Sequence, residues 1–153
     1  MENTTNNITV DKLEAGDIAT IITEIQNTSG TNDKKELLAP FLGSEDLYRY
    51  LRYVYDEVNY TYGKSKLPMI PEVHKMDKHD SDEDLEEMYA LVEDMNSGVL
   101  KGKSADEAIT DYLVNKLSFY EDLLFYIIKR NIKAGINARG INEVFGRVIK
   151  ISP

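Results

Sequence analysis

Hydrophobic positions recur along this chain at intervals of three and four, the period of an α-helix with one buried face. Leu13, Ile18, Ile21, Ile22 and Ile25 form the first stripe. Asp11, with Glu14 three residues on, has the capping-box spacing at its start. The polar run NTSGTND, residues 27–33, ends it, and Asn32 or Asp33 can cap a short helix over 34–42 that Pro40 breaks. Ser44 is placed to cap a helix over 45–58, with Leu47, Leu51, Val54, Tyr55 and Val58 on or near one face. Residues 59–71 read as a loop and 72–82 as a polar, acidic connection. Leu85, Met88, Leu91, Val92 and Met95 mark a helix over 83–97. After a turn at 97–104, Ser104 with Glu107 and Ser118 with Glu121 offer two more capping boxes, the second opening SFYEDLLFYIIKRNI. A short helix over 138–146 comes last. The pattern predicts an all-α fold, a compact multi-helix bundle of about six to seven helices with no internal repeat.

At 153 residues the chain is long enough for one domain with a real core, and 42% hydrophobic content argues against global disorder. Residues 1–10 are expected to be a flexible tail, 11–147 the helical domain, and 148–153 a C-terminal tail or the start of an interdomain linker. The chain has no cysteine, which excludes disulfides and thiolate metal sites. Its start, MENTTNNITVDKLEAG, has neither a basic nor an apolar signal region, and no apolar run approaches the ~18 residues of a membrane span. The expected location is the cytoplasm, with no membrane partner.

Charge changes the picture more than composition does. The formal net charge is −9, yet residues 116–153 hold seven Lys or Arg against three Asp or Glu, a net of +4. Residues 72–94 hold two Lys against ten acids, a net of −8. A polyanion responds to the local field more than to the total. The C-terminal third can therefore face a phosphate backbone while the acidic middle faces away. The plain alternative is an acidic protein whose last helices are basic for reasons of their own.

Several chemistries fail on the residue inventory. His74 and His79 are five positions apart, not the i,i+4 spacing of a helical metal pair, and Asp77, Asp80 and Asp82 beside them do not follow a calcium-loop pattern. No phosphate-loop or dinucleotide fingerprint occurs, and no Ser–His–Asp set is credible. The chain reads as non-catalytic by itself, with no cofactor. What remains is a set of phosphate grips. Lys133 and Arg139 bracket Gly135, Ile136 and Asn137 between two helices, where helix-start amides flanked by cations suit an anion. Gly135 also reads as a plain C-cap and Asn137 as a plain N-cap, and Lys129 and Arg130 suit a helix C-terminus in any case. Gly30, Thr31 and Lys34 make a second candidate, a glycine turn entering a helix; Lys64 and Lys66, in a loop beside tyrosines, make a third.

Three stretches carry a resemblance: IITEIQNTSGTNDKKELL, SEDLYRYLRYVYDEVNYTYGKSKLP and GKSADEAITDYLVNKLSFYEDLLFYIIKRNIKAGINARGINEVFG. In order and spacing, over roughly 18–153, the chain resembles the N-terminal helical DNA-binding domain of ATP-dependent DNA ligases from tailed phages. Asn142, Val144 and Phe145 are the last matching positions. The resemblance implies non-sequence-specific binding of double-stranded DNA, nicked or intact, through backbone and minor-groove contacts, in the cytoplasm of a phage host. It also implies a nucleotidyltransferase domain or subunit as partner, because that domain's catalytic lysine lies in a KxDG motif and this sequence has none. Lys133 and Arg139 would neutralise phosphates, Gly135, Ile136 and Asn137 would offer backbone amides, and Gly30, Thr31 and Lys34 would grip a second stretch with Lys64 and Lys66 nearby. The acidic segment departs from a broadly basic face. It motivates a different reading, an acidic phage interaction protein that uses the same fold to bind or inhibit a protein.

Overall fold

In the computed structural model, which describes residues 12–63, 66–69, 82–114 and 116–151, the isoleucine stripe is the inner face of α1 (Ala15–Gln26). Next come α2 (Thr31–Leu38), a single 3-10 turn (Ala39–Phe41) holding Pro40, and α3 (Glu45–Tyr55). Then follow α4 (Asp82–Ser97), α5 (Gly102–Leu113), α6 (Ser118–Lys129) and α7 (Ala138–Phe145). The described residues form an all-α bundle of seven helices without a β-sheet. None of these helices is long and apolar enough to cross a membrane. α6 packs on both α1 and α3 and buries Tyr120, Leu123, Leu124, Ile127 and Ile128. α2 contacts α1 on one side and α7 on the other, while α4 pairs with α5.

Local polar groups set where each helix begins and ends. The Asp11 cap lies outside the described residues; at the start of α1 the Asp17 carboxylate accepts the Glu14 N–H at 2.9 Å. Gly30, not Asn32 or Asp33, precedes α2, because a glycine at φ 93° lets the chain turn in ahead of them. Ser44 caps α3, accepting the Leu47 N–H at 3.4 Å. That helix stops at Tyr55, short of the expected residue 58. The buried Asp56 carboxylate takes the N–H groups of Val58 and Asn59 at 3.0 and 2.9 Å, which closes a turn in place of a further helical one. Val58 is consequently half exposed rather than buried. In α5, Ser104 is the third helical residue and reaches back to accept the Lys101 N–H at 3.2 Å; it is not the cap itself. Ser118 is likewise the first residue of α6, with Leu117 before it. Past α7 the chain stays on the bundle: Asn142 brackets Ile149, accepting its N–H at 3.0 Å and donating to its carbonyl at 2.9 Å, and Ile149 is buried.

Tyrosines tie the layers together. The Tyr50 hydroxyl, fully buried on α3, donates to the Leu123 carbonyl of α6 at 2.6 Å, and Tyr112 of α5 donates to the Asp84 carbonyl of α4 at 2.5 Å. Tyr89 stacks on Tyr53 with centroids 4.6 Å apart, Tyr53 meets Tyr60 at 4.9 Å, and Tyr60 meets Tyr62 at 6.4 Å. Arg49 lies over the Tyr89 ring and Arg130 over the Tyr62 ring, at 4.3 and 5.0 Å.

Burial pushes the hydroxyls of Tyr50, Tyr53, Tyr55, Tyr60, Tyr62, Tyr89 and Tyr112 above their usual ionisation range. Their protonated forms therefore contribute stability that is fully present below the unfolded tyrosine value of ~10 and is lost as pH rises beyond it. The unfolded chain releases those protons first, so each of the well-buried Tyr50, Tyr55, Tyr62, Tyr89 and Tyr112 costs about 1.4 kcal/mol per pH unit above ~10 while it stays neutral, and Tyr53 and Tyr60, closer to solvent, cost less. Urea unfolding at pH 8, 10 and 11 is expected to show a midpoint that falls steeply only in the last step. An absorbance titration of the folded protein is expected to show most phenols ionising together with loss of helix.

Candidate nucleic-acid interface

The segment between α6 and α7 has no secondary structure of its own, and its shape is set residue by residue. α6 ends at Arg130 in the left-handed region, φ 62°, a conformation costing a non-glycine residue roughly 1 kcal/mol. Its guanidinium offsets this by donating to the Tyr53 carbonyl at 3.2 Å and stacking over Tyr62. Asn131 then accepts the Lys133 N–H at 2.6 Å, a side-chain turn that lets Lys133 take φ 55°. From 131 to 137 the residues alternate. Asn131, Lys133, Gly135 and Asn137 are exposed, and Ile132, Ala134 and Ile136 are buried.

The three inward residues also turn their carbonyls to the protein, and each is met by a different helix. Gln26 at the end of α1 donates to the Ile132 carbonyl at 2.8 Å. Lys34 of α2 donates to Ala134 at 2.5 Å. Tyr55 at the end of α3 donates to Ile136 at 3.3 Å, while the same hydroxyl accepts the Ile132 N–H at 3.1 Å. In a trans peptide the C=O of one residue and the N–H of the next point in opposite directions, and no peptide here is cis. With those carbonyls held inward, the amides of Gly135 and Asn137 face away from the helices. α7 begins directly after them: the Asn137 side chain caps it, accepting the Gly140 N–H at 3.0 Å. Gly140 allows the close approach, since a Cβ there would stand 2.8 Å from Cγ1 of Ile136. No hydrogen bond among the described residues uses the N–H of Gly135, Ala138 or Arg139. The result is a run of open amides beside the exposed cations Lys133 and Arg139, an arrangement suited to an oxyanion.

Two of the three grips seen in the sequence meet here. Gly30 and Thr31, both exposed, begin α2, and that helix is joined to the loop by Lys34 and to α7 by an ion pair between Lys35 and Glu143. Lys34 is thus half-buried and engaged with backbone rather than projecting. Ile136 is an anchor, with a buried side chain and a bound carbonyl. Gly135 lies at φ 72° within the loop, and the left-handed C-cap of α6 is Arg130. Of the third grip, Lys66 is exposed and Lys64 lies outside the described residues, as do His74, His79, Asp77 and Asp80. The neighbouring Tyr62 touches Arg130, which brings that loop to the same end of the bundle.

The sequence reading missed two kinds of residue. Gln26 and Tyr55 shape the loop without bearing charge, and only the strict alternation in NIKAGIN hints that something must receive its inward groups. Arg147 and Lys150 count toward the basic C-terminal third in the sequence but are not among its candidate grips. They line a 640 Å³ cleft with Arg139, Asn142, Glu143, Ile149 and Ile151, so the basic surface continues along α7. No ion pair among the described residues engages Lys129, Lys133, Arg139, Arg147 or Lys150. The exposed acids Glu83, Glu86, Glu87, Glu93 and Asp94 lie on α4.

Comparison with solved structures places this architecture. The chain superposes on the structures named Pmar-Lig_Pre and Pmar-Lig_PreS3 with TM-scores of 0.70 and 0.72, at 16% sequence identity to each. It shares their fold. Each match covers 83% of this chain and 29% of the other, so this chain spans less than a third of those proteins. No family model matches the sequence, and no curated protein matches it.

The peg role of Tyr55 has a direct consequence. Tyr55→Phe removes the partner of both the Ile132 N–H and the Ile136 carbonyl and is expected to cost about 1–3 kcal/mol, the range for leaving buried backbone groups unpaired. Urea denaturation monitored by helical signal measures it. A loss below about 0.5 kcal/mol would mean the loop is held elsewhere.

Proposed function

We propose that this chain binds duplex DNA through the sugar–phosphate backbone, without sequence readout, as the DNA-holding part of an ATP-dependent DNA ligase. One observation carries the reading: outward amides at Gly135 and Asn137 and the open N-terminus of α7 sit between Lys133 and Arg139, on a basic surface that Arg147 and Lys150 extend. Such groups contact phosphates and fix register without distinguishing bases. The shared fold supports the reading, as does the element Lig in the names of both solved chains, which agrees with the resemblance carried by the sequence. In this reading Gly30 and Thr31 take a second stretch of backbone, Lys66 and Lys64 flank it, and a nucleotidyltransferase domain or subunit closes over the nick. The chain positions DNA and leaves the chemistry to that partner, since it contains no KxDG motif to accept the nucleotide.

The exposed acids of α4 favour one other reading, in which that face binds a basic protein surface. A single titration separates the two. A labelled nicked duplex and its intact counterpart are expected to bind comparably, with affinity falling steeply between low and moderate salt as counterions are released. Lys133→Ala with Arg139→Ala is expected to weaken binding and to lower the log–log salt slope by roughly 1 per cation removed, while helical content is kept. Lys101→Ala with Lys103→Ala, exposed at the start of α5, serves as the control and is expected to change little. Equal losses from both pairs would reduce the site to diffuse charge, and no binding to either duplex at low salt would leave the acidic-face reading.

Incubation with labelled ATP and a divalent metal is expected to leave no protein-bound label. A stable adenylate would require a nucleophile that the KxDG pattern does not capture.

A further inference from the structure

Lys34 stands apart from the other cations of this surface. Its ammonium is half-buried and lies 2.5 Å from the Ala134 carbonyl, beneath the loop rather than beside it. A Cβ at Gly135 would collide with Nζ of Lys34, which would have to move aside, and φ there is 72°, which already disfavours side chains. The flanking carbonyls of Ile132 and Ile136 are held by neutral donors, Gln26 and Tyr55. Lys34 therefore supplies the only charge-assisted bond among the three, and it is the middle one. By trans-peptide geometry, the carbonyl it holds fixes the outward direction of the Gly135 amide.

We infer that Lys34 is a positioning residue: it supports DNA binding by locking the 131–137 loop from behind and makes no contact with phosphate itself. The inference rests on the DNA-binding reading above and changes the role that the sequence suggested for Lys34, that of a direct grip. It also couples two residues. Gly135→Ala is expected to displace the ammonium, because its new methyl occupies the space that Nζ holds. The lysine terminus is the flexible partner and gives way first.

Three measurements on the full chain decide it. In a titration with a labelled duplex across a salt series, Lys34→Met is expected to lower affinity roughly tenfold or more, the scale of a lost charge-assisted hydrogen bond, with an unchanged log–log salt slope. A direct phosphate contact would instead lower that slope by about 1, which overturns the inference, as would an unchanged affinity. Gly135→Ala is expected to lower affinity as well, through the displaced ammonium and the strain at its positive φ, and Lys34→Met combined with Gly135→Ala to cost less than the sum of the two, because both break the same bond. Additive losses would overturn the coupling. In the free protein, amide exchange at Ile132 and Gly140, both hydrogen-bonded to side chains, is expected to speed up in Lys34→Met while exchange in α6 does not change. Unchanged exchange at both would overturn the lock even if DNA bound. Failure of the wild-type chain to bind either duplex would remove the DNA-binding reading by itself, and the exchange result would still decide whether Lys34 holds the loop.

Discussion

A segment without secondary structure can sit against a helical core only if its inward backbone groups find partners, because an unpaired buried carbonyl costs about as much as a hydrogen bond is worth. Residues 131–137 meet that constraint with side chains from three helices. Gln26, Lys34 and Tyr55 come from the end of α1, the body of α2 and the end of α3, and they take alternate carbonyls. Within the bundle that the apolar core assembles, this fixes how three helices meet the loop. α2 must lie where its lysine reaches Ala134, α3 must end where its last tyrosine spans Ile132 and Ile136, and α7 must start close enough that position 140 has no room for a side chain.

The same constraint separates two kinds of positive charge. Lys34 and Arg130 face protein oxygen atoms and rings, so their charge is spent within the fold. Lys133, Arg139, Arg147 and Lys150 are exposed. An acidic chain can in this way present a local basic surface; α4 carries five exposed acids, Glu83, Glu86, Glu87, Glu93 and Asp94, and Glu86 is paired with Arg49 at 2.6 Å. Such exposed pairs contribute little stability, so α4 is held chiefly by Met88, Leu91, Val92 and Met95.

Much of the fold was legible because apolar spacing reports a buried face directly. Every isoleucine expected on the inner face of α1 is there, and Asn137 and Ser44 cap the helices they were expected to cap. Boundaries failed where a side chain outcompeted the helix. Asp56 ended α3 early, and Ser104 bonds backward from inside α5, which a one-dimensional pattern cannot tell from a cap. The candidate site was legible as composition and not as geometry. Gly135 and Lys133 were recognisable from their types, whereas the meeting of Lys34 with Ala134, a hundred residues away, depends on how α2 packs. Tyr55 was placed on a buried face for its ring, and its hydroxyl proved to carry the structural role.

The column of Tyr89, Tyr53, Tyr60 and Tyr62 leads from α4 to the end of α6, with an arginine at either end. Because the chain has no tryptophan, its near-ultraviolet dichroism comes chiefly from tyrosine rings held in fixed, asymmetric surroundings. Four of its ten tyrosines lie in this one column, and Arg130, at its far end, is also the residue from which the basic loop departs. The protein thus carries its own optical gauge: a change in how Arg130 is seated perturbs the last ring of the column, and the loop can be followed without attaching a probe to it.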